Sequence, residues 1–167
     1  MKICYDTNIF VDTLRAEDSV LFERIFDIGQ IQTTYANMQE LKADNSIVQN
    51  KSNEHKIQIL EQNDEEVLFA DPLAQTLKIK YADFALSLCD ALCLALVLKR
   101  ASDKLATGDN PLRIAARIEG AELLWLGEVF QLANISKNQA DNFLKKIYIR
   151  GFPKFPKREH LWPYDDE

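Results

Sequence analysis

The sequence predicts an α/β fold, a three-layer α/β/α domain around a central, mostly parallel sheet. Short β-prone apolar runs alternate along it with segments whose apolar residues recur at helical spacing, the order that lays helices over the faces of a parallel sheet. Two of the runs lead straight into an acid among small polar residues, Asp6 and Asp109. The length of 167 residues, 47% hydrophobic and 28% charged with 5 Gly and 5 Pro, suits one globular domain with a single core.

Residues 2–9 open with a β-prone run and reach Asp-Thr-Asn, a strand and the turn after it. Residues 10–30 carry Val11, Leu14, Val20, Leu21, Ile25 and Phe26 at helical spacing, as two helices broken near Glu17-Asp18-Ser19 and stopped by Gly29. A second strand is expected at 31–36. Asn37 then caps a helix with Glu40 at its third position, where an acid suits the positive end. Residues 44–66 are polar but keep Ile47, Val48, Ile57, Ile59 and Leu60, predicting a helix with a wet outer face. Residues 67–70 predict a strand, and Asp71-Pro72 opens a helix with Pro in its first turn. Residues 81–100 form the best helical segment. A strand at 104–107 runs into Gly108-Asp109-Asn110-Pro111. A helix at 112–118 is closed by Gly120, and 121–126 is a strand. Ser136 with Gln139 makes a capping box for a last helix through Arg150. The expected division is an α/β domain at 1–135 and, at 136–167, a helix and basic, aromatic-rich tail packed on it or extending from it.

The formal net charge of −6 discourages a polyanionic partner until its distribution is considered. Between Lys137 and Pro163 seven Lys/Arg stand against two acids, net +5, which leaves −11 for the rest of the chain. An acidic body with a basic extension suits a protein that gathers cations in one place and touches a polyanion with another. Lys154, Lys157 and Arg158, interleaved with rings such as Phe152, Phe155 and Trp162, are candidates for contact with single-stranded RNA. Docking of the tail on its own domain or on a partner subunit explains the same residues. Three cysteines, an odd number, speak against a disulfide framework. Cys89 and Cys93 stand four apart, yet His55 and His160 are not spaced to complete a zinc site, so small buried hydrophobes are expected. The first residues reach Asp6 too soon for a signal-peptide core, and the most apolar segment, 84–98, is too short for a membrane span. A cytoplasmic protein without membrane contact is expected.

In a parallel α/β sheet functional groups collect just beyond the carboxyl ends of the strands, the position of both Asp6 and Asp109. Either alone is explained equally well by a turn or a helix cap. Asp90 has a helix of Leu86, Leu88, Ala91, Leu92, Leu94 and similar residues around it, and no Lys or Arg within a turn. Such a helix is expected to be buried, where an ionised carboxylate needs a cation or good hydrogen bonds. Glu40 taken singly reads first as an ordinary first-turn acid. The four together, with almost no usable His or Cys, favour Mg2+ or Mn2+ over zinc or copper. Such centres polarise phosphate, activate water and stabilise a leaving oxygen, the chemistry of phosphodiester hydrolysis.

Four segments carry a family resemblance: Tyr5-Asp6-Thr7-Asn8-Ile9-Phe10-Val11-Asp12, Asn37-Met38-Gln39-Glu40-Leu41, Leu88-Cys89-Asp90-Ala91-Leu92 and Leu105-Ala106-Thr107-Gly108-Asp109. In order and spacing the chain resembles the PIN-domain nucleases, particularly the small VapC-type ribonuclease toxins, over residues 1 to about 130. The resemblance implies an endoribonuclease in which Asp6, Glu40, Asp90 and Asp109 hold Mg2+ or Mn2+, with Asn8 and Thr107 supporting them by hydrogen bonds. It also implies RNA as substrate, a cognate antitoxin as partner and often a homodimer. Family members often carry Ser or Thr near the start of the Glu helix, where this chain has Ala36-Asn37, and the tail from about residue 137 has no counterpart among them.

A phosphatase of the haloacid-dehalogenase kind needs a second Asp two residues after the first, and that place is Asn8. A dinucleotide-binding domain needs a glycine-rich first turn, which Asp6-Thr7-Asn8 is not. The competing reading of another class is a non-catalytic PIN-like module for RNA binding or scaffolding.

Overall fold

A computed structural model describes residues 1–149. Five strands, β1 (Lys2–Tyr5), β2 (Gln30–Thr34), β3 (Ile57–Leu60), β4 (Lys104–Ala106) and β5 (Leu123–Leu124), form one sheet in the order β3-β2-β1-β4-β5. Every neighbouring pair is parallel. The connections hold α1 (Thr7–Arg15), α2 (Ser19–Arg24), α3 (Tyr35–Glu40), α4 (Asn45–Asn53), α5 (Glu65–Lys80), α6 (Leu88–Leu98) and α7 (Asn110–Glu119). After β5 come α8 (Leu126–Leu132) and α9 (Lys137–Ile149). This is the α/β/α arrangement that the alternation of strands and helices predicts.

The pleat sends successive strand residues to opposite faces, and each face has its own core rather than the single one expected. Ile3 and Tyr5 pack with Phe10, Leu21, Ile25 and Phe130. Cys4 and Leu105 pack on the other side with Leu77, Leu94, Leu96 and Leu112. That second side explains the apolar character of α6, which lies between the sheet and α5. Among the described residues no helix is long and apolar enough to cross a membrane.

Several elements differ from expectation for identifiable reasons. The break near 17–19 is present: Glu17 has φ 52°, and Asp18 caps α2 by accepting from the Leu21 N–H at 2.9 Å. Gly29 is not a helix stop, since α2 already ends at Arg24. Its lack of a side chain lets two strands start together, because a Cβ there would lie 2.8 Å from the Met1 carbonyl oxygen. The helix expected over 44–66 is only α4, and β3 follows it. Ile57 and Leu60 are buried while Gln58 is exposed, so an edge strand of only four residues was hidden in a polar stretch. Residues 67–70 are helical, and Pro72 lies inside α5 instead of opening it, because Asp64 stands at the cap. The helix tolerates the missing N–H of Pro72 while its other face packs on α6. The segment 81–100 divides at Ala85, which is left-handed with φ 56°. Helix α8, not foreseen from sequence, directly follows the two-residue β5.

The capping box expected for the last helix is present, with the Ser136 N–H donating to Gln139 Oε1 at 3.1 Å. Helix α9 does not lie apart from the domain: Ala140 and Phe143 enter the first core, and Phe143 meets Phe130 edge-on with ring centres 6.1 Å apart. Lys154, Lys157 and Arg158 lie outside the described residues.

Candidate functional site

From β1 the chain proceeds to β2 and β3 on one side of the sheet; the later strands β4 and β5 lie on the other. The loops that follow β1 and β4 therefore diverge, and the crevice between them is where open α/β sheets bind ligands. Asp6 immediately follows β1, and Asp109 lies three residues past β4.

Asp6 is 1% exposed and caps α1. Its Oδ1 accepts from the Thr7 N–H at 2.7 Å and lies 3.4 Å from Asn37 Nδ2. Its Oδ2 accepts from Thr107 Oγ1 at 2.8 Å and Asn8 Nδ2 at 3.1 Å. All four donors are uncharged. Burial first, then the charge of Asp90, raise its pKa to about 7, opposed by the Thr107 and Asn8 hydrogen bonds, with a further push from Asp109. Asn8 and Thr107 thus both hydrogen-bond the same Asp6 oxygen.

Asp109 caps α7 by accepting from the Leu112 N–H at 2.9 Å, and its own N–H donates to Thr107 Oγ1 at 3.0 Å. Burial raises its pKa, the Leu112 hydrogen bond lowers it, and Asp90 and Arg113 act in opposite senses. Arg113, on the same helix and 5% exposed, stacks over Trp125 with its guanidinium 3.5 Å from the ring centre.

Asp90 corrects the expectation of a carboxylate deep in an apolar helix. It is half-buried in the first turn of α6, where Ser87 caps the helix. The Ser87 N–H donates to Asp90 Oδ2 at 3.0 Å and the Asp90 N–H donates to Ser87 Oγ at 3.0 Å, a reciprocal box that supplies the hydrogen bonds a charge there needs. The acid serves as a cap and also projects its charge onto Asp6 and Asp109.

Glu40 and Asn37 also stand differently from expectation. Thr34 is the cap of α3, accepting from the Asn37 N–H at 3.2 Å, so Asn37 lies inside the helix and Glu40 ends it. Thr34 supplies at the helix start the hydroxyl that Ala36-Asn37 lack. Glu40 is exposed, and its Oε2 accepts from Thr7 Oγ1 at 2.7 Å. Asn37 is completely buried beneath it. Its Nδ2 donates to Thr7 Oγ1 at 2.9 Å, while its Oδ1 accepts from Thr34 Oγ1 and, at 3.1 Å, from Cys93 Sγ. A relay thus runs from Asn37 through Thr7 to Glu40. Sequence reasoning missed this role, although a polar residue three before the acid on a helix with Met38 and Leu41 inward was its available signal.

Two further groups border the site. Asp12 rises to about 6 through burial, opposed by Arg15, and its Oδ2 would lie 3.3 Å from a Cβ placed on Gly108. The Cys89 thiol is pushed up to about 12 by burial and then by Glu40, with which it hydrogen-bonds, so it stays protonated.

The donor chemistry fits a hard divalent cation: oxygen atoms from acids in which burial first, and then the charge of Asp90, raises Asp6 and Asp109. As the side chains lie, no three Asp, Glu, His or Cys groups among the described residues form a metal-binding arrangement. The caps occupy only one oxygen of Asp90 and one of Asp109, which leaves the other oxygen of each outside its cap. No model of a known protein family matches the chain, and a search of curated proteins finds no match.

The raised acids make metal-free stability pH-dependent. For Asp6 the folded chain keeps its proton to about pH 7, whereas the unfolded chain releases it near the ordinary value of 3.8. The folded state binds more protons between those limits, so stability falls as pH rises through them, and Asp12 and Asp109 act in the same sense. The expected outcome is a melting temperature in EDTA lower at pH 8 than at pH 5 by roughly 5 °C. A melting temperature that climbs over this range would contradict the assignment.

Proposed function

We propose that this chain is a metal-dependent endoribonuclease of the PIN-domain kind, hydrolysing phosphodiester bonds of RNA with Mg2+ or Mn2+. The observation that carries the reading is the gathering of Asp6, Asp90 and Asp109 at the β1/β4 switch point, where the charge of Asp90 bears on both Asp6 and Asp109. Asp6, Glu40, Asp90 and Asp109 would hold the ion, which when bound supplies Lewis-acid polarisation of phosphate and lowers the pKa of water. Asp6, fixed by four donors, orients the centre and cannot swing away. Glu40 is the exposed member, so it can take a proton from an attacking water and release it to solvent, while Thr7 fixes the oxygen that faces inward. An antitoxin partner, a homodimer and a cytoplasmic location belong to the same proposal and rest on the family resemblance.

The test is cleavage of a generic single-stranded RNA by the purified chain in Mn2+ and in Mg2+. Internal cuts are expected, abolished by EDTA and by Asp109→Asn. RNA binding without cleavage in either metal would overturn the proposal in favour of the non-catalytic module, a reading that the unclosed arrangement of the acids favours.

A further inference from the structure

Beside the carboxylates, between the starts of α3 and α6 and the first half of α5, lies a cavity of about 360 Å3. Leu60, Val67 and Leu92 give it apolar walls, and Tyr35 and Leu68, 40% and 58% exposed, stand at its edge. Besides Thr34, Gln62 and Asp71 line it with polar side chains, and the Asp71 Oδ1 lies 3.5 Å from Gln75 Nε2. Cys89 joins cavity to site, since it lines the one and its thiol hydrogen-bonds Glu40 in the other. None of the lining residues is Lys or Arg. A phosphate placed there would meet the Asp71 carboxylate with no cation to receive it. The suitable occupant is flat and uncharged, with apolar faces and a polar edge rich in N–H donors.

We propose that this cavity receives one nucleobase beside the scissile phosphate of single-stranded RNA, and that Asp71 makes guanine the preferred base. The inference rests on the nuclease reading for its substrate. Guanine presents N1–H and N2–H side by side, a pair that two carboxylate oxygens accept together. Cytosine and adenine set an acceptor beside their amino group, and uracil flanks its single N–H with two carbonyls, which a carboxylate repels. Gln62 can donate to guanine O6. Burying a base against Leu60, Val67 and Leu92 with the Tyr35 ring at the edge follows the way proteins hold unstacked RNA bases.

The experiment follows methyl resonances of labelled protein during titration in Ca2+ with short oligoribonucleotides that differ only at one central base. Mn2+ cleavage of the same oligomers is measured in parallel. The Leu60, Val67 and Leu92 methyls should shift with the guanine oligomer, which should bind about tenfold tighter than the other three. Asp71→Asn, at an exposed position, should erase that preference. Cleavage with equal affinity for all four bases, or with unmoved cavity methyls, would overturn the subsite and leave the nuclease standing. Guanine-selective shifts without cleavage by the wild type would sustain the subsite and sink the nuclease reading. Cavity methyls that ignore every RNA would likewise overturn the subsite.

Discussion

Replacing Asp6 by Asn is expected to abolish Mn2+-dependent RNA cleavage, by about a thousandfold or more, while flattening the pH dependence of metal-free stability. The two effects share one cause. Asp6 is the buried member of the acid group, with uncharged donors around it and Asp90 and Asp109 opposing its ionisation. Losing its charge removes several kcal/mol of support for a cation in the transition state, the scale of the predicted rate loss. In EDTA at pH 8 the same loss relieves a repulsion, whereas at pH 5 wild-type Asp6 is already neutral and little should change. Melting curves across pH 5–8 and single-turnover cleavage measure both. A variant whose melting temperature tracks the wild type at every pH would show that Asp6 does not carry the proton assigned to it.

Asn37→Leu is expected to cost stability and activity together, although Asn37 is completely buried. The substitution keeps the number and branching of the side-chain heavy atoms but removes the partner of Thr34, Cys93 and Thr7. Unmatched buried polar groups should lower unfolding free energy by about 2–4 kcal/mol, measured by urea denaturation. Released from Asn37, Thr7 no longer presents its hydroxyl proton to Glu40, and cleavage should fall roughly ten- to a hundredfold. A merely structural role is separated by a cycle with Glu40→Gln. If Asn37 acts through Thr7 and Glu40, its substitution should lower cleavage little further once Glu40 is Gln. Equal losses in both backgrounds would limit Asn37 to folding.

The parts legible in sequence were those in which local chemistry and tertiary role agree. Asp6 and Asp109 follow strands, cap the next helices and face one crevice, and the pattern of β-prone run, acid and small polar residue reports all three at once. Glu17-Asp18-Ser19 and Gly120 marked helix ends because Asp18 caps and Gly120, with φ 74°, accepts the left-handed turn. Asp90 misled because seven consecutive apolar residues, Ala91 to Val97, follow it and are buried, while the capping Ser87 just before it sets the acid at the helix mouth. Strand β3 and the continuity of α5 through Pro72 depend on neighbours, β2 for the one and α6 for the other, that no local window contains. Asn37 needed the relay to Thr7 to be seen, since its own spacing fits a cap as well.

The middle strand of the sheet comes before the other four in the chain, and one of its sides waits about a hundred residues for company. Ile3 pairs with Ile31 on one side but with Lys104 on the other. While the chain is being synthesised β1 therefore presents an open edge, and Asp6 has neither the hydroxyl of Thr107 nor the charge of Asp109 near it. A ribosome must add about a hundred residues after β1 before Asp6 and Asp109 can meet. The order of strands thus times the assembly of the acid group: a fragment ending before β4 would hold Asp6, Glu40 and Asp90 without the loop that carries Asp109.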